Sequence, residues 1–378
     1  MGLFLFVLLS IARPAVAQTD STAVADSLTQ ALARQMAALQ GASPSVQSQP
    51  AGQSRGNGSA NPDISVIGDA RATWDKDAAR PIDGAIHEME VAFRSAVDPY
   101  ARADVFISIG EEDGEFAFEL EEAYLTTLSL PFRLQAKIGK FRNTVGKTNQ
   151  LHPHTLPYID TPLVYEHFFG GEGLNDQGIS LSWLLPNPRF FQEATFEVTR
   201  GPSESASFAL DEGGRLLYTG HLKNFWDLSR DATLEVGLTG VYGANDLGQS
   251  SGIGGIDVTY KWKPLQFNTS RALTLQTEVF FSRRNTGQMT VEGLGLYGLI
   301  GWQLARRWAV TGRFDHADLP DDPNWNQEAG SVTLAWLLSE FQKIELGGRT
   351  TWGPKTDRSY QGLVRLVFVI GTHGAHAY

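Results

Sequence analysis

The sequence predicts an all-β fold, a transmembrane antiparallel β-barrel of about 16 strands. The first observation is a period of two that begins at "NPDISVIGDARATW" and recurs in segments of about ten residues, the length of a tilted strand that crosses a bilayer. In the segment 272–284, Leu273, Leu275, Val279 and Phe281 share one face, and Thr274, Gln276, Glu278 and Ser282 share the other. One face therefore suits lipid and the opposite face suits water.

The same alternation runs along the chain from residue 64 to residue 370. The predicted strands are 64–73, 86–97, 100–110, 116–127, 131–141, 177–185, 193–200, 216–226, 232–242, 254–263, 272–284, 293–304, 307–316, 328–339, 342–352 and 359–370. An even number of strands lets the chain enter and leave the barrel on the same side of the membrane.

The connections between these segments alternate in length, which is the second observation. Short links read "DP", "LSLP", "ARR" and "SEF", whereas the links between them include "DKDAARPIDGA", "EEDGE", "GPSESASFALDEGGR", "GANDLGQSSG" and "DHADLPDDPNWNQ". Short periplasmic turns and longer external loops are typical of outer-membrane barrels. Tryptophans agree, because Trp74 and Trp352 fall near predicted outer ends and Trp226, Trp262, Trp302, Trp308 and Trp336 near inner ends, where aromatic girdles lie.

The region before the barrel has its own composition. Residues 1–17 contain "LFLFVLLSI" followed by "ARPAVAQ" and predict a signal peptide. Residues 18–60 predict a short helix in "DSLTQALARQMAALQ" and a flexible periplasmic linker rich in Gly, Ser, Gln and Pro. The helix is either marginal by itself or part of a coiled coil that helps a trimer to assemble. The barrel itself is predicted for residues 61–378.

Composition excludes several classes of protein. The net charge of -11 argues against a general affinity for nucleic acid. The absence of cysteine excludes disulfides and thiolate metal sites. No later segment offers roughly 18 consecutive apolar residues, so a helical membrane protein is excluded. No G-x-S-x-G or other catalytic signature is visible, and we predict neither an enzyme nor a cofactor.

The segment 142–176 is the third external link and the longest connection. A loop of this length without a period of its own is usually functional or disordered, and its apolar content argues against disorder. We therefore predict that it folds into the barrel and narrows the lumen. The candidate constriction residues are His152, His154, Tyr158, Asp160, Tyr165, Glu166, His167, Phe168 and Phe169.

Metal binding competes for some of the same residues. His152 and His154 lie on one side of an extended stretch, and Asp160, Glu166 and His167 could complete a set of imidazole and carboxylate ligands. The spacing lacks the regularity of zinc motifs, which favours histidines that pack the loop or line a constriction over metal ligands. The "EEDGE" link, 111–115, could likewise hold Ca²⁺ or bridge lipopolysaccharide through a divalent cation, or be a solvated turn.

Charged residues on the water-facing side would set the selectivity of a pore. The alternation places 17 of them there: Glu88, Glu90, Arg94, Arg102, Asp104, Arg133, Lys137, Glu197, Lys223, Glu235, Asp257, Lys261, Glu278, Arg313, Glu345, Arg349 and Arg365. The signs nearly balance, and the field that they produce depends on the strand register. Each of these charges could also serve only as a structural ion pair across the wall.

Several stretches also carry a resemblance to known proteins. They are "NPDISVIGDARATW", "LEEAYLTTLSLPFRLQAKIGKFRNTVGKTNQLHPH", "FFGGEGLNDQGISLSWLLP" and "LVFVIGTHGAHAY". The chain from about Asn61 resembles an uncharacterised group of bacterial outer-membrane proteins related to porins, similar in plan to the phosphate-selective porins. No basic ladder is evident, so phosphate selectivity is not carried over.

The resemblance implies a Gram-negative outer-membrane location, contact with outer-membrane lipid and lipopolysaccharide, insertion by the barrel-assembly machinery, a third loop that constricts the pore, and a possible homotrimer. We therefore expect a passive, porin-like channel for small hydrophilic solutes or ions. The alternative is a plugged barrel that acts as a metal-handling or surface receptor. Residues 18–60 are too short for the plug domain of a 22-stranded energised receptor.

Overall fold

The computed structural model of the protein describes residues 62–371, apart from residues 76–77, 79–80, 113–114, 203–204, 206, 212 and 323. For residues 85, 112, 115 and 356 it describes the backbone alone. The predicted signal peptide, the predicted helix and linker, and the last seven residues lie outside the described part of the chain.

Sixteen antiparallel strands form the wall. They are β1 (Asp63–Asp75), β2 (Ile82–Asp98), β3 (Ala101–Glu112), β4 (Glu115–Thr127), β5 (Leu134–Arg142), β6 (Asn175–Leu184), β7 (Phe191–Thr199), β8 (Leu217–Asp227), β9 (Ala232–Ala244), β10 (Ser250–Trp262), β11 (Ala272–Asn285), β12 (Thr290–Ala305), β13 (Trp308–Asp318), β14 (Asn326–Ser339), β15 (Gln342–Gly353) and β16 (Thr356–Gly371). Each strand pairs with its neighbours in sequence, and β1 pairs with β16, so the barrel is closed. The predicted fold class and strand number are confirmed.

Alternation along the strands separates a polar interior from an apolar outer face. On β11, Leu275 and Phe281 are exposed on the outside, whereas Glu278 and Ser282 are buried on the inside. Two-residue turns at 99–100, 306–307 and 340–341 occupy one end of the barrel, and the longest connections occupy the other. By the loop-length rule for such barrels, the end with short turns is the inner end.

Aromatic side chains accumulate at the strand ends. Trp308 and Trp336 lie opposite each other at the inner ends of β13 and β14, and their rings stack with centroids 5.8 Å apart. Trp302 is exposed at the inner end of β12, and Trp74 is exposed at the outer end of β1. This arrangement agrees with the predicted girdles. Within the described ranges, no helix has both the length and the apolar character needed to span a membrane.

β-bulges interrupt the pairing of β1 with β2 and of β3 with β4. Between β1 and β2 the register shifts so that His87 is the extra residue. Between β3 and β4, Phe106 pairs with Glu122 and Ile107 pairs with Leu120, which leaves Glu121 as the extra residue. A bulge re-aims side chains, and here it allows the consecutive residues Glu121 and Glu122 to be buried together.

Candidate functional site

The connection 143–174, between β5 and β6, is the candidate site, because it packs inside the barrel. It contains two 3₁₀ turns, Thr148–Gln150 and Pro153–Thr155, and one short helix, α1 (Leu163–Phe168). Pro162 precedes α1 and fixes the chain direction at the start of the helix. α1 packs against β12, β13 and β14. The inward fold agrees with the expectation from the sequence.

Apolar side chains of this loop form a buried core with the wall. Tyr165, Phe168 and Phe169 have almost no exposed surface, and the rings of Tyr165 and Phe169 lie 5.8 Å and 5.3 Å from the ring of Phe280 on β11. Tyr158 lies in the same core, next to Tyr297 of β12. Apolar packing in the lumen excludes water and opposes displacement of the loop.

A second external connection contributes to this core, which sequence reasoning did not predict. Phe208, in the link between β7 and β8, is fully buried in the same cluster. The Ser205 hydroxyl donates a hydrogen bond to the carbonyl oxygen of Phe168, 2.9 Å away. The available signal was a single Phe within the otherwise polar stretch "GPSESASFALDEGGR".

Glu278 on β11 receives several donors from the loop. Its carboxylate accepts hydrogen bonds from the backbone N–H groups of Lys147 and Thr148, at 3.2 Å and 3.0 Å, and from the Tyr165 hydroxyl, at 2.6 Å. Tyr297 of the wall donates a further bond at 2.5 Å. Burial and the neighbouring Glu278 carboxylate raise the pKa of Tyr165 well above its usual range, so its hydroxyl stays protonated as a donor.

Arg313 on β13 holds the middle of the loop. Its guanidinium, which is fully buried, contacts Asp160 at 2.5 Å and the wall residue Asp315 at 2.9 Å. It also lies over the ring of Tyr158, 4.4 Å from the centroid. Arg349 on β15 adds a contact of 3.3 Å to the same Asp160 carboxylate. Asp160 is thus a loop carboxylate shared by two wall cations.

Arg365 on β16 binds the loop through its backbone. The side chain is buried, and its guanidinium contacts the Glu345 carboxylate at 2.5 Å. It donates hydrogen bonds to the carbonyl oxygens of Pro153 and Leu156, at 3.2 Å and 3.0 Å. Lys343 donates to the Leu156 carbonyl as well, at 3.3 Å. This part of the loop is therefore fixed to β15 and β16.

A cluster of histidine and carboxylate side chains lies where the loop meets β2 and β4. Glu90 Oε2 is 2.8 Å from His152 Nδ1 and 3.7 Å from His154 Nδ1. His152 also approaches two residues of the β4 bulge, since its Nδ1 lies 3.3 Å from Glu121 Oε2 and its Nε2 lies 2.9 Å from Glu122 Oε1. We call these five residues the His–Glu cluster.

The charge state of His152 follows from its surroundings. Burial by itself would lower the pKa of His152, but polar contacts with the carboxylates of Glu121, Glu122 and Glu90 raise it well above its usual range. Without another cation at this place, His152 is therefore charged and partly balances the three carboxylates.

The metal-ligand set suggested by the sequence is divided by the fold, and as a set it was wrong. His152 and His154 lie in the His–Glu cluster, whereas Asp160 is paired with Arg313 and Arg349. Glu166 lies 3.8 Å from Arg349 and is half exposed. His167 Nε2 lies 3.0 Å from Gln327 Oε1, and its ring is near that of Trp325. Arginine repels a cation, so Asp160 and Glu166 serve the loop's ion pairs instead.

The remaining predicted lumen charges are ion-paired, hydrogen-bonded, in contact with aromatic rings, or at least half-buried. Glu197 accepts bonds from the N–H and hydroxyl of Thr144, and Glu235 contacts Lys147 and Lys223. Asp104 is shared by Arg94 and Arg102, Lys137 lies over the rings of Tyr124 and Phe141, Asp257 is buried, and Glu88 and Lys261 are half-buried.

The predicted position of Arg133 on the water-facing side of a strand is wrong. Arg133 lies exposed in the 3₁₀ turn Pro131–Arg133 at positive φ and not on a strand face, because β5 begins only at Leu134. The sequence-based list also omitted Asp69, Glu121, Glu122, Arg142, Lys147 and Asp315, which are buried or half-buried and ion-paired. Asp315 lies two residues after Arg313 and so on the same strand face, which could have identified it. Glu121 and Glu122 are consecutive, and strict alternation cannot place both of them inside.

The closed barrel of 16 antiparallel strands is a fold that the chain shares with solved outer-membrane porins and channels. Its wall is apolar outside and polar inside, as in a membrane-spanning β-barrel.

Comparison with known proteins agrees at the level of fold. The chain superposes with an anion-selective porin from Comamonas acidovorans at a TM-score of 0.57, with 10% identity, over 82% of this chain and 99% of that one. With the outer-membrane channel DcaP of Acinetobacter baumannii the TM-score is 0.56 and the identity 10%, over 82% of this chain and 97% of that one. With a loop L8 deletion mutant of OmpT, an outer-membrane protein of Vibrio cholerae, the TM-score is 0.56 and the identity 10%, over 82% of this chain and 99% of that one.

Sequence comparison gives one relative without an assigned function. An uncharacterised protein of Aquifex aeolicus is 29% identical over 341 residues, which is 76% of this chain and 69% of that protein. No protein-family model matches the chain. The similarity to phosphate-selective porins in particular is not supported beyond the shared barrel plan.

Proposed function

We propose that the protein is a porin-like channel of the outer membrane whose lumen is closed at rest by its own third loop. The observation that carries this proposal is the attachment of one loop to strands on all sides of the wall. Residues 143–174 contact β2 and β4 through His152, β11 through Thr148, β13 through Asp160, and β16 through Pro153 and Leu156. A loop fixed on all sides spans the lumen.

Burial of the inward charges supports the same proposal. Asp104 on β3, Glu278 on β11, Arg313 on β13 and Arg365 on β16 are all less than 5% exposed. In a water-filled pore such charges would be hydrated. Here they are buried, and a buried charge is stable only when it is paired. Conduction therefore requires displacement of the loop.

Three cations near the inner end are more accessible to water than the carboxylates that they contact. Arg94, Arg102 and Lys223 keep about a third of their side-chain surface exposed, whereas their partners Asp104 and Glu235 are nearly buried. These three cations are thus more accessible to water than the carboxylates that pair with them, and accessible charges of one sign select permeating ions. We propose small anions as the preferred solutes of the open pore.

The proposal includes the surroundings that the fold requires. Exposed apolar residues such as Phe281, Ile300 and Phe314 would face outer-membrane lipid, and the external loops would face lipopolysaccharide. Insertion by the barrel-assembly machinery and assembly into a homotrimer remain proposals. One of the solved OmpT structures of Vibrio cholerae is described as a trimer form.

The test is single-channel conductance of the folded protein in a planar bilayer, with and without residues 150–172. We expect long closed periods for the intact chain and steady conductance for the shortened one. A salt gradient then gives the reversal potential, whose sign should indicate preference for anions. A variant with Asp322 and Lys355, an exposed pair at the outer end, both changed to alanine serves as the control.

Two results would contradict the proposal. Equal, steady conductance of the intact and shortened chains would mean that the loop does not close the pore. Silence of the shortened chain, with retained heat-modifiable migration on a gel as evidence of folding, would exclude a channel and favour the receptor alternative.

A further inference from the structure

The His–Glu cluster has the composition of a transition-metal site. It brings two imidazoles and several carboxylates to one place, and histidine nitrogen together with carboxylate oxygen is a common ligand set for zinc and its first-row neighbours. Ligand atoms of Glu90, His152 and His154 all lie within 4.8 Å of one another. The group lies in the barrel interior and joins the loop to the wall.

The distances in the cluster suit coordination. With metal–nitrogen and metal–oxygen bonds of about 2.1 Å, two ligands of a tetrahedral ion lie about 3.4 Å apart. Glu90 Oε2 lies 2.8 Å from His152 Nδ1 and 3.7 Å from His154 Nδ1, which brackets that separation. The two imidazole nitrogens lie within 4.8 Å of each other, so side-chain shifts on the order of 1 Å would place all three atoms around one ion.

His152 also has the second contact that a metal-bound histidine normally makes. While Nδ1 faces Glu90, Nε2 lies 2.9 Å from Glu122 Oε1. A ligating histidine usually donates its other ring N–H to a carboxylate, which fixes the tautomer and orients the ring. The ring of Phe106, with its centroid 4.9 Å away, restricts the remaining freedom of His152.

Carboxylate oxygens in the cluster lack sufficient partners. Arg142 contacts Glu121 Oε1 at 3.0 Å, which leaves Glu121 Oε2 directed toward His152. Glu90 Oε2 and Glu121 Oε2 are buried, and among the described residues neither has a hydrogen-bond donor in acceptable geometry. Both residues are less than 5% exposed. An unsatisfied buried carboxylate oxygen is costly and is well satisfied by a cation.

Net charge points in the same direction. Glu88, Glu90 and Glu121 form a second group of ligand atoms within 4.8 Å of one another, and Glu122 adjoins them. The guanidinium of Arg142 donates to Glu121 at 3.0 Å, whereas Glu122 accepts only from the backbone N–H of Arg142, at 3.1 Å. A divalent ion would balance the excess negative charge more fully than a protonated His152 can.

The fold brings these carboxylates together by irregularities in two different strand pairs. The bulge at Glu121 places two consecutive glutamates inside the barrel, and the bulge at His87 adjoins Glu88. Bulges are frequent beside functional sites, where they re-aim side chains.

We propose that Glu90, His152 and His154 bind a divalent first-row transition-metal ion of the zinc class, with Glu121 as a further ligand and Glu122 orienting His152. The ion fastens the loop to β2 and β4. The proposal concerns a binding site and does not depend on whether the barrel conducts.

The test is calorimetric titration of the folded full-length chain in detergent, after removal of metal with a chelator, with Zn²⁺ and separately with Ca²⁺. Visible absorption of bound Co²⁺ gives an independent readout of nitrogen and oxygen ligation. We expect one equivalent of Zn²⁺ and a clear preference over Ca²⁺. His154→Ala and Glu90→Gln should weaken Zn²⁺ binding by at least tenfold, and Glu122→Gln should weaken it by about 10- to 100-fold.

The matched control is His316→Ala. His316 also lies near two carboxylates, those of Asp318 and Glu328, but away from the His–Glu cluster, so binding should not change. Glu90→Gln keeps the side-chain volume and serves if a histidine variant fails to fold. Absence of Zn²⁺ and Co²⁺ binding in the intact chain would overturn the proposal and leave the carboxylates as partners of a protonated His152. Equal binding by His154→Ala, Glu90→Gln and His316→Ala would overturn it as well.

Discussion

Asp160→Asn should release the third loop from the wall. The substitution keeps the size of the side chain but removes the charge that Arg313 and Arg349 share, at 2.5 Å and 3.3 Å. Removing one partner of a buried ion pair costs roughly 3–5 kcal/mol, because the other charge is left uncompensated. Arg313 retains Asp315 at 2.9 Å, so the lower end of this range applies.

A cost of about 3 kcal/mol corresponds to about a hundredfold larger population of the displaced loop, since every 1.4 kcal/mol is a factor of ten. The assay is limited proteolysis of the folded protein in detergent, with cleavage within 143–174 followed by mass spectrometry. When the loop opens and closes faster than the protease cuts, the cleavage rate follows the population of the displaced state.

Glu166→Gln is the matched comparison. Glu166 is a loop carboxylate that also approaches Arg349, but the distance is 3.8 Å and half of its side chain is exposed. An exposed pair contributes about 0–1 kcal/mol, so cleavage should accelerate less than about fivefold. Cleavage rates of the two variants within threefold of each other and of the unaltered chain would refute the assignment of Asp160 as the central attachment of the loop.

Two further substitutions test the loop and the wall separately. Tyr165→Phe removes the 2.6 Å hydrogen bond to Glu278. Because a hydrogen bond to a charged group contributes roughly 1.5–3 kcal/mol, amide hydrogen exchange in α1 should accelerate by at least tenfold. Unchanged exchange would contradict this role of Tyr165. Gly178→Ala would place a Cβ 2.1 Å from the carbonyl oxygen of Val198, so heat-modifiable migration on a gel should be lost. The control Gly254→Ala, whose added Cβ meets open space, should fold normally. Equal folding of both variants would contradict the close approach of β6 and β7.

The sequence determined the barrel because its period of two is a local property of each segment. In the segment 272–284, lipid-facing and water-facing side chains alternate along one strand, so neither pairing nor register is needed to see them. The alternation of short and long links then set the parity of the strands, and every predicted strand overlaps an observed one. The length and apolar content of 142–176 similarly sufficed to predict a loop inside the barrel.

Tertiary structure alone decided which residues meet inside that barrel. His152 could be recognised as a possible ligand, but its neighbours Glu121 and Glu122 come from a strand about 30 residues away, and a bulge places both of them inward. Asp160 and His167, grouped with His152 in the sequence, are separated by the path of the loop across the lumen. Alternation is local and can be read from the chain, whereas register, bulges and loop path depend on contacts between distant segments.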